Sequence, residues 1–365
     1  MRIVLFFIGT RPEAIKLAPV ILRMKSRPNQ FKVIVCATAQ HREMLDQVLQ
    51  LFEISPDIDL DLMMPDQSLP SFTARSLLTV TDVIKKVEPQ IVLVQGDTTT
   101  AMVSTLASFY EHIPVGHIEA GLRTGNPYSP FPEEMNRRLI SVLARFHFAP
   151  TKRAEKLLLS EGIPKENVWH TGNTVVDALK LILARSEIPD LGIENDRRKI
   201  ILVTAHRRES FGQPLENMCE ALKKLAARNP DVHIIYPVHP NPRVQDPVRQ
   251  ILSGKDNISL LEPLGYLPFV SLMNACHFIL TDSGGIQEEA PALGKPVLVM
   301  RDETERVEAI EAGTSKLIGT RTETILVEAE TLLQDPNAYH RMATAISPFG
   351  DGSAAEKIID LLVHE

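Results

Sequence analysis

Cysteine is scarce in this chain of 365 residues. The three cysteines, Cys36, Cys219 and Cys276, lie far apart and form no Cys-x-x-Cys pair, which excludes a disulfide framework. Such sparse cysteines fit a reducing cytosol, so we expect a cytoplasmic protein.

An excess of basic residues is also missing. The chain has 39 Lys and Arg against 46 Asp and Glu, a formal net charge of −7. Nucleic-acid binders usually carry a basic surface, and anionic lipid also attracts basic patches. We therefore expect neither a nucleic acid nor a membrane as partner.

Long apolar runs are absent as well. The N-terminal run, residues 3–8, is too short to span a bilayer or to serve as the core of a signal peptide. We interpret it as a first strand. The hydrophobic fraction of 44% and the charged fraction of 23% are those of a globular protein and exclude a disordered or collagen-like chain.

Short apolar runs rich in Val and Ile alternate with amphipathic stretches along the chain. The apolar runs are residues 3–8, 33–37, 91–94, 115–118, 200–204, 232–238, 278–280 and 297–300, and the clearest helical stretches are 12–25, 98–110, 215–227 and 286–293. Strands that are apolar throughout are typical of parallel sheets covered on both faces. The alternation predicts an α/β, doubly wound fold.

The pattern occurs twice, first up to about residue 170 and again after a polar segment at 187–198. We predict two Rossmann-like domains that face each other across a cleft. Because such folds bind ligands at the carboxyl ends of their strands, the residues that follow each strand are the candidates for chemistry.

Two carboxylates follow predicted strands in the first half, Asp97 and Glu119. A buried carboxylate is costly unless it is paired or faces a cleft. The structural alternatives are a helix cap for Asp97 and a salt bridge to Arg123 for Glu119. His117 shares a face with Glu119, but no third ligand has diagnostic spacing, so we predict no metal.

The turn after the first strand and a later loop add further candidates. Gly9 and Arg11 begin a helix that also carries Lys16, and a helix start with two cations suits a phosphate. Neither a Walker A motif nor GxGxxG is present. The Pro- and Gly-rich segment 124–134 is long enough to be functional and ends in Glu133, although acidic residues also favour a helix start for electrostatic reasons alone.

Cationic and glycine-rich segments follow strands in the second half. His206 and Arg207 suggest an anion site, and Ser283, Gly284 and Gly285 allow close approach to backbone amides. Acids in one half and cations in the other suit a nucleotide-sugar enzyme, because the cations can hold a diphosphate leaving group while the acids move protons.

Read together, these segments resemble the non-hydrolysing UDP-N-acetylglucosamine 2-epimerases. The matching segments extend from Gly9 to Ile358 and are GTRPEAIKLAP, QGDTTT, HIEAGLRTGNPYSPFPEEMNR, TGNTVVDAL, TAHRRESFG, PVHPNP, TDSGGIQEEAPALGKPVLV and FGDGSAAEKI. The resemblance implies the two-domain glycosyltransferase-B fold with a last helix, about 354–363, that returns to the first domain. The predicted domains are thus residues 1–170 plus 353–365, with the catalytic carboxylates, and residues 171–352, with the UDP site.

The resemblance also implies an activity. It is the reversible interconversion of UDP-N-acetylglucosamine and UDP-N-acetylmannosamine, by elimination of UDP to a 2-acetamidoglucal and re-addition. No nicotinamide or other cofactor is needed, a homodimer is usual, and the product would serve surface polysaccharide synthesis. Three alternatives are a hydrolysing relative that releases N-acetylmannosamine, a 2-epimerase of a diacetamido uronate UDP-sugar, and a binding protein without catalysis.

Site residues follow from the resemblance by position. Asp97, Glu119 and Glu133 would form the acid/base set around C2, and His206 would contact the diphosphate. The implied substrate ligands are Arg11, Lys16, Arg207, Phe269, Ser283, Gly284, Gly285, Glu289 and Arg306. A second, activating substrate molecule would use Gln40, Glu133, Arg207 and His239, but the chain departs from that pattern at Glu43 and near Asp66.

Overall fold

The computed structural model describes residues 1–38, 42–64, 66–185 and 198–364, without the side chains of residues 42–44 and 208. Its strands are β1 Arg2–Ile8, β2 Phe31–Ala37, β3 Ile58–Asp59, β4 Ile91–Gln95, β5 Val115–Ile118, β6 Phe146–Ala149, β7 Val168–His170, β8 Lys199–Thr204, β9 Val232–Pro237, β10 Ile258–Leu261, β11 Phe278–Thr281, β12 Val297–Val299 and β13 Ser315–Leu317. Its helices are α1 Arg11–Lys25, α2 Arg42–Leu51, α3 Leu69–Val87, α4 Thr99–Tyr110, α5 Glu133–Leu143, α6 Lys152–Ser160, α7 Thr174–Leu183, α8 Gln213–Arg228, α9 Pro242–Leu252, α10 Tyr266–Ala275, α11 Gly284–Glu289, α12 Val307–Glu311, α13 Thr322–Gln334, α14 Pro336–Ala343 and α15 Ala354–His364.

Two parallel sheets organise these elements. The strand orders are β3-β2-β1-β4-β5-β6-β7 and β10-β9-β8-β11-β12-β13, and the pairings are parallel. In each sheet the strand order reverses beside the first strand, as in a doubly wound fold. The predicted α/β architecture is confirmed.

The central strands form the cores of both sheets because they are apolar on both faces. β4 is buried along its whole length, and so is β11. One expected helix differs: the stretch 286–293 forms the end of α11 and then a 3₁₀ turn, Ala290–Leu293. Pro291 explains the change, because its ring cannot continue an α-helical hydrogen-bond ladder.

The chain divides into two compact units. The first unit is Met1–Leu181 with Phe349–Glu365, and the second unit is Ile182–Pro348. The first unit therefore also includes residues 171–181, most of which form α7. Asp177 on α7 explains this, since its carboxylate accepts hydrogen bonds from the N–H groups of Ala354 and Ala355 at 3.2 and 3.0 Å.

The last helix, α15, packs against α1 within the first unit. Arg23 of α1 and Arg27, two residues after α1 ends, both form ion pairs with Glu356 of α15. Most of the polar segment predicted between the domains, residues 187–198, lies outside the described residues. None of the helices within the described ranges has the length and hydropathy needed to cross a membrane.

Candidate active site

A buried carboxylate on α1, Glu13, supports the loops at the switch point of the first sheet. The sequence alone did not identify it. Glu13 is 1% exposed. Its Oε2 accepts the N–H groups of Gly9 and Thr10 at 3.0 and 2.7 Å, and its Oε1 accepts the Thr98 hydroxyl at 2.6 Å. Glu13 thus ties the loop after β1 to the loop after β4. Burial raises the pKa of Glu13 to about 7, against the opposing effect of these hydrogen bonds.

Gly9 is required where these two loops meet. A Cβ at this position would overlap the hydroxyl of Thr100 and lie 2.8 Å from that of Thr38. The absence of a side chain lets β1 pass directly into α1, where Arg11 is the first residue and lies half-buried.

Glu119 directly follows β5 and forms an ion pair with a lysine of α1. It is 8% exposed and has a left-handed backbone, with φ of 66°. Lys16 Nζ lies 2.6 Å from Glu119 Oε2, which also accepts a hydrogen bond from the amide of Gln95. A non-glycine residue in this conformation is uncommon and often marks a functional site.

The sequence left an ion pair with Arg123 as the alternative role of Glu119. The guanidinium of Arg123 has other partners. Arg123 donates to both carboxylate oxygens of Glu161, at 2.8 and 2.6 Å, and to the hydroxyl of Ser141 at 2.9 Å. Arg123 therefore has a structural role, linking the loop after β5 to Glu161 and to Ser141 of α5.

Asp97 follows β4 and is held by α5. Its carboxylate forms an ion pair with Arg137, and its carbonyl accepts the side-chain amide of Asn136 at 2.9 Å. Nearby, His117 is fully buried and contacts the carbonyl of Gly96 at 2.7 Å through Nε2. Burial lowers the pKa of His117 to about 3, so this ring is neutral and serves to fix the turn before Asp97.

The two acidic residues at the start of α5 differ in environment. Glu133 is half-buried at the first helical position. Glu134 is fully buried and accepts the N–H groups of Thr124 and Gly125 at 3.0 and 3.3 Å. Burial would raise the pKa of Glu134, but the Thr124 N–H and the charge on Arg137 outweigh it and hold that pKa low. Glu134 thus fixes the long loop and leaves Glu133 as the candidate for chemistry.

The second sheet presents a basic site at its own switch point. His206 and Arg207 follow β8, and Asp282 follows β11. Asp282 Oδ2 accepts the N–H groups of His206 and Arg207 at 2.9 and 2.8 Å. The ring of His239, after β9, stacks on that of His206 with centroids 5.5 Å apart.

Two guanidinium groups flank the start of α11. A Cβ placed on Gly284 would lie 3.3 Å from Arg207 Nη2 and 3.4 Å from Arg306 Cζ. Arg306 is anchored by Glu288, with Nε and Nη2 at 2.8 and 2.7 Å from Oε1. The backbone of Ser283, Gly284 and Gly285 therefore lies beside two cations, which suits an anion such as a phosphate.

These cations belong to a larger ion-pair network. Arg207 Nη1 lies 3.5 Å from Glu305 Oε1, and Arg301 Nη1 lies 2.7 Å from Glu305 Oε2. Burial would raise the pKa of Glu305, but Arg306, Arg301 and Arg207 hold it at about 2. The network keeps the arginines in fixed positions beside α11.

The remaining predicted ligands lie on α10 and α11. Glu289 is 8% exposed and accepts the Tyr266 hydroxyl at 2.9 Å. Phe269 lies on α10, three residues after Tyr266, and is half-buried. Gln40 lies outside the described residues, and the side chain of Glu43 is not described.

A family model for UDP-N-acetylglucosamine 2-epimerase matches residues 23–363. The chain belongs to the UDP-N-acetylglucosamine 2-epimerase family. The Salmonella typhimurium enzyme of that name is 54% identical over 368 residues, 98% of either chain. These matches confirm the predicted family.

Solved structures of family members share the fold over the full length. The UDP-GlcNAc 2-epimerase of Neisseria meningitidis, solved with UDP-GlcNAc bound, has a TM-score of 0.92 and 50% identity, and each chain covers 100% of the other. The S. aureus protein MnaA, solved with UDP, has a TM-score of 0.90 and 46% identity, covering 100% of this chain and 96% of that one. The predicted two-domain, glycosyltransferase-B-like fold is confirmed.

Proposed function

We propose that this protein interconverts UDP-N-acetylglucosamine and UDP-N-acetylmannosamine without hydrolysing them. The observation that carries the proposal is the pair of carboxylates, Asp97 and Glu119, which follow the adjacent strands β4 and β5 and are each held by a cation. Inverting a carbon centre by proton transfer requires positioned acid/base groups on both faces. The full-length similarity to an enzyme solved with UDP-GlcNAc supports the substrate.

In this proposal the second unit binds most of the UDP part. Arg207, Arg306 and the backbone at the start of α11 hold the diphosphate, and Phe269 contacts the uracil. Glu289 accepts a hydrogen bond from a hydroxyl of the ribose or the sugar. The complete set of proposed ligands is Arg11, Lys16, Arg207, Phe269, Ser283, Gly284, Gly285, Glu289 and Arg306.

The reaction proceeds in two balanced halves. A carboxylate takes the C2 proton, the C2–H electron pair forms the C1=C2 bond, and the C1–O bond breaks with its electron pair leaving on UDP. The β-phosphate oxygen then adds back to C1 while C2 receives a proton on its other face. Asp97, Glu119 and Glu133 form the proton-handling set, and His206 stabilises the departing diphosphate. The substrate and the product have the same oxidation level and no hydride is transferred, so the proposed reaction needs no nicotinamide.

We also propose a homodimer that forms through the first unit. α4 packs against both α3 and α5. Large apolar side chains of these three neighbouring helices are exposed. Large exposed apolar surfaces often mark protein–protein interfaces. The exposed side chains are Leu78, Phe109, Tyr110, Met135, Leu139 and Val142, from 40% to 78% exposed. A second copy of the same patch suits them, because a two-fold interface is self-complementary.

The same proposal includes an activating second substrate molecule and a cellular role. Arg207 and His239, with Glu133 and Gln40, are the proposed ligands of the activator, so we expect sigmoidal dependence of the rate on substrate. The product supplies surface polysaccharide synthesis from the cytoplasm.

Product analysis tests the proposed function. Purified protein is incubated with UDP-N-acetylglucosamine, and the products are followed by phosphorus and proton NMR. We expect UDP-N-acetylmannosamine to form to a constant ratio with no free sugar. Free N-acetylmannosamine with accumulating UDP would assign a hydrolysing enzyme instead. No turnover while UDP still binds would direct the search to the diacetamido uronate UDP-sugar.

A further inference from the structure

Asp282 is a buried carboxylate in the second unit to which the proposed reaction gives no role. It follows β11 and has no exposed surface. Its Oδ2 accepts hydrogen bonds from the N–H groups of His206 and Arg207, at 2.9 and 2.8 Å, and from the Ser210 hydroxyl at 3.2 Å. One oxygen of the carboxylate therefore fixes the backbone on which His206 is carried.

The other oxygen of Asp282 is aimed at the ring of His206. Within the described residues, Oδ1 has no hydrogen-bond partner, and it lies 3.6 Å from His206 Nδ1. This separation exceeds a hydrogen bond, and a buried acceptor without a donor is costly. Catalytic hydrogen bonds are often long in unliganded enzymes and shorten when ligand binds. The His206 side chain is 42% exposed, so its ring has room to move.

His239 restricts the direction of that movement. Its ring is nearly parallel to that of His206, at an interplanar angle of 8°. His239 Nδ1 accepts the N–H of Asn241 at 3.1 Å, so the neutral ring carries its proton on Nε2. Burial and then the charge on His206 lower the pKa of His239, although Asp282 opposes this. His239 is thus a neutral surface along which the His206 ring can slide toward Asp282.

We propose that Asp282 is a positioning residue for His206: Oδ1 accepts the Nδ1–H of His206 when the UDP-sugar binds, and Nε2–H is then directed at the diphosphate. The inference rests on the proposed function, in which the C1–O electron pair leaves on the β-phosphate oxygen. Both ring nitrogens carry protons in this contact, and the buried carboxylate balances the ring's charge. The carboxylate of a Ser-His-Asp triad orients its histidine and stabilises the imidazolium in the same way.

Asp282→Asn separates this role from a purely structural one. The side-chain oxygen of asparagine can keep the backbone hydrogen bonds of Oδ2, which places its NH₂ group where Oδ1 was. An NH₂ group only donates, so Nδ1 of His206 must lose its proton. The ring keeps its Nε2–H toward the diphosphate but loses the positive charge that stabilises the leaving group, so we expect kcat to fall about 10²–10³-fold, with a smaller loss of UDP affinity.

Nitrogen-15 NMR of the UDP complex gives a readout that a structural role would not move. The His206 signals are assigned by their loss in His206→Gln. We expect a protonated Nδ1 in the parent protein and an unprotonated Nδ1 in Asp282→Asn. Ser210→Ala is the matched control, because it removes a hydrogen bond to the same carboxylate at Oδ2 only, and its turnover and Nδ1 signal should remain those of the parent.

The outcomes separate this inference from the proposed function. An unprotonated Nδ1 in the parent–UDP complex, or parental kcat in Asp282→Asn, would overturn the role of Asp282 while the epimerase stands. If Asp282→Asn does not fold, the protonation of His206 Nδ1 in the spectrum of the parent–UDP complex decides the role of Asp282. A parent that binds UDP with Nδ1 protonated but turns over no UDP-N-acetylglucosamine would refute the proposed function and keep the contact. A parent that binds no UDP would overturn both.

Discussion

The two units share one strand order and differ in the residues that follow their strands. In the first unit, Asp97 and Glu119 follow adjacent strands, and their cations come from α5 and α1. In the second unit the roles are exchanged: Asp282 is the buried support, and His206 and Arg207 are held by it at the switch point of their own sheet. A common scaffold thus supplies carboxylates in one unit and cations in the other, because loop residues are free to vary while the strands are fixed by packing.

The largest expected effect is a loss of turnover when the carboxylates of the first unit are replaced. Asp97→Asn and Glu119→Gln should each lower kcat by about 10²–10⁴-fold, the range for positioned acid/base groups, because each removes a proton-handling oxygen pair. UDP affinity, measured by calorimetry, should change little, since the proposed UDP ligands are mainly in the second unit. Parental turnover in either variant would remove that residue from the mechanism.

A second effect concerns stability and separates Glu13 from the carboxylates proposed to act on substrate. The pKa of Glu13 is raised from 4.5 to about 7, so the folded state binds the extra proton between these pH values. Stability from this group is full below pH 4.5 and is lost as the pH rises to about 7, a decrease of about 3 kcal/mol. Glutamine does not titrate, so the unfolding free energy of Glu13→Gln should not show this decrease.

Urea unfolding of parent and Glu13→Gln, followed by fluorescence, checks this prediction. The single tryptophan, Trp169, lies on β7 and reports on the first unit. The difference in unfolding free energy between the two proteins should shift in favour of the variant from pH 4.5 to 8. A difference that stays constant with pH would mean that Glu13 does not titrate in this window.

The second unit should respond differently from the first. His206→Ala should lower kcat and also weaken UDP binding by about tenfold, the value of one lost hydrogen bond to a charged group. Equal UDP affinity in His206→Ala and parent, measured by the same calorimetry, would contradict its contact with the diphosphate and remove the distinction between the units.

The smallest expected effect concerns assembly. Val142 of α5 is 78% exposed, and Val142→Glu should raise the dimer dissociation constant by about tenfold, because it introduces a charge at an apolar interface. Val327→Glu, at a 61% exposed position on α13 of the second unit, is the matched control. Sedimentation over a concentration series gives both constants. Equal effects of the two substitutions would exclude the α3–α5 patch as the interface.

The sequence predicts the sheets well because buried parallel strands leave a strong apolar signal. It does not single out β3, β6, β7, β10 or β13, which are two to four residues long. It identifies Glu119 as a candidate, but not its partner. Lys16 is 103 positions away, and only the sheet order brings the two together.

The supporting residues of the candidate site are harder to find in the sequence than the residues proposed to react. Glu13 completes a Thr-x-x-Glu capping box, a signal present in the sequence, yet its bond to Thr98 depends on the neighbouring strand. Asp282 precedes a glycine-rich helix start and would be taken for a helix cap. Its bonds to the loop after β8 depend on the pairing of β8 with β11.

Proton exchange at C2 tests the central claim most directly. The parent protein is incubated with UDP-N-acetylglucosamine in deuterated water, and C2 is followed by proton NMR. The account predicts that each molecule of UDP-N-acetylmannosamine carries deuterium at C2, and that the substrate pool gains deuterium as the reaction reverses. Formation of the epimer with its original hydrogen retained at C2 would contradict proton removal by the carboxylates of the first unit.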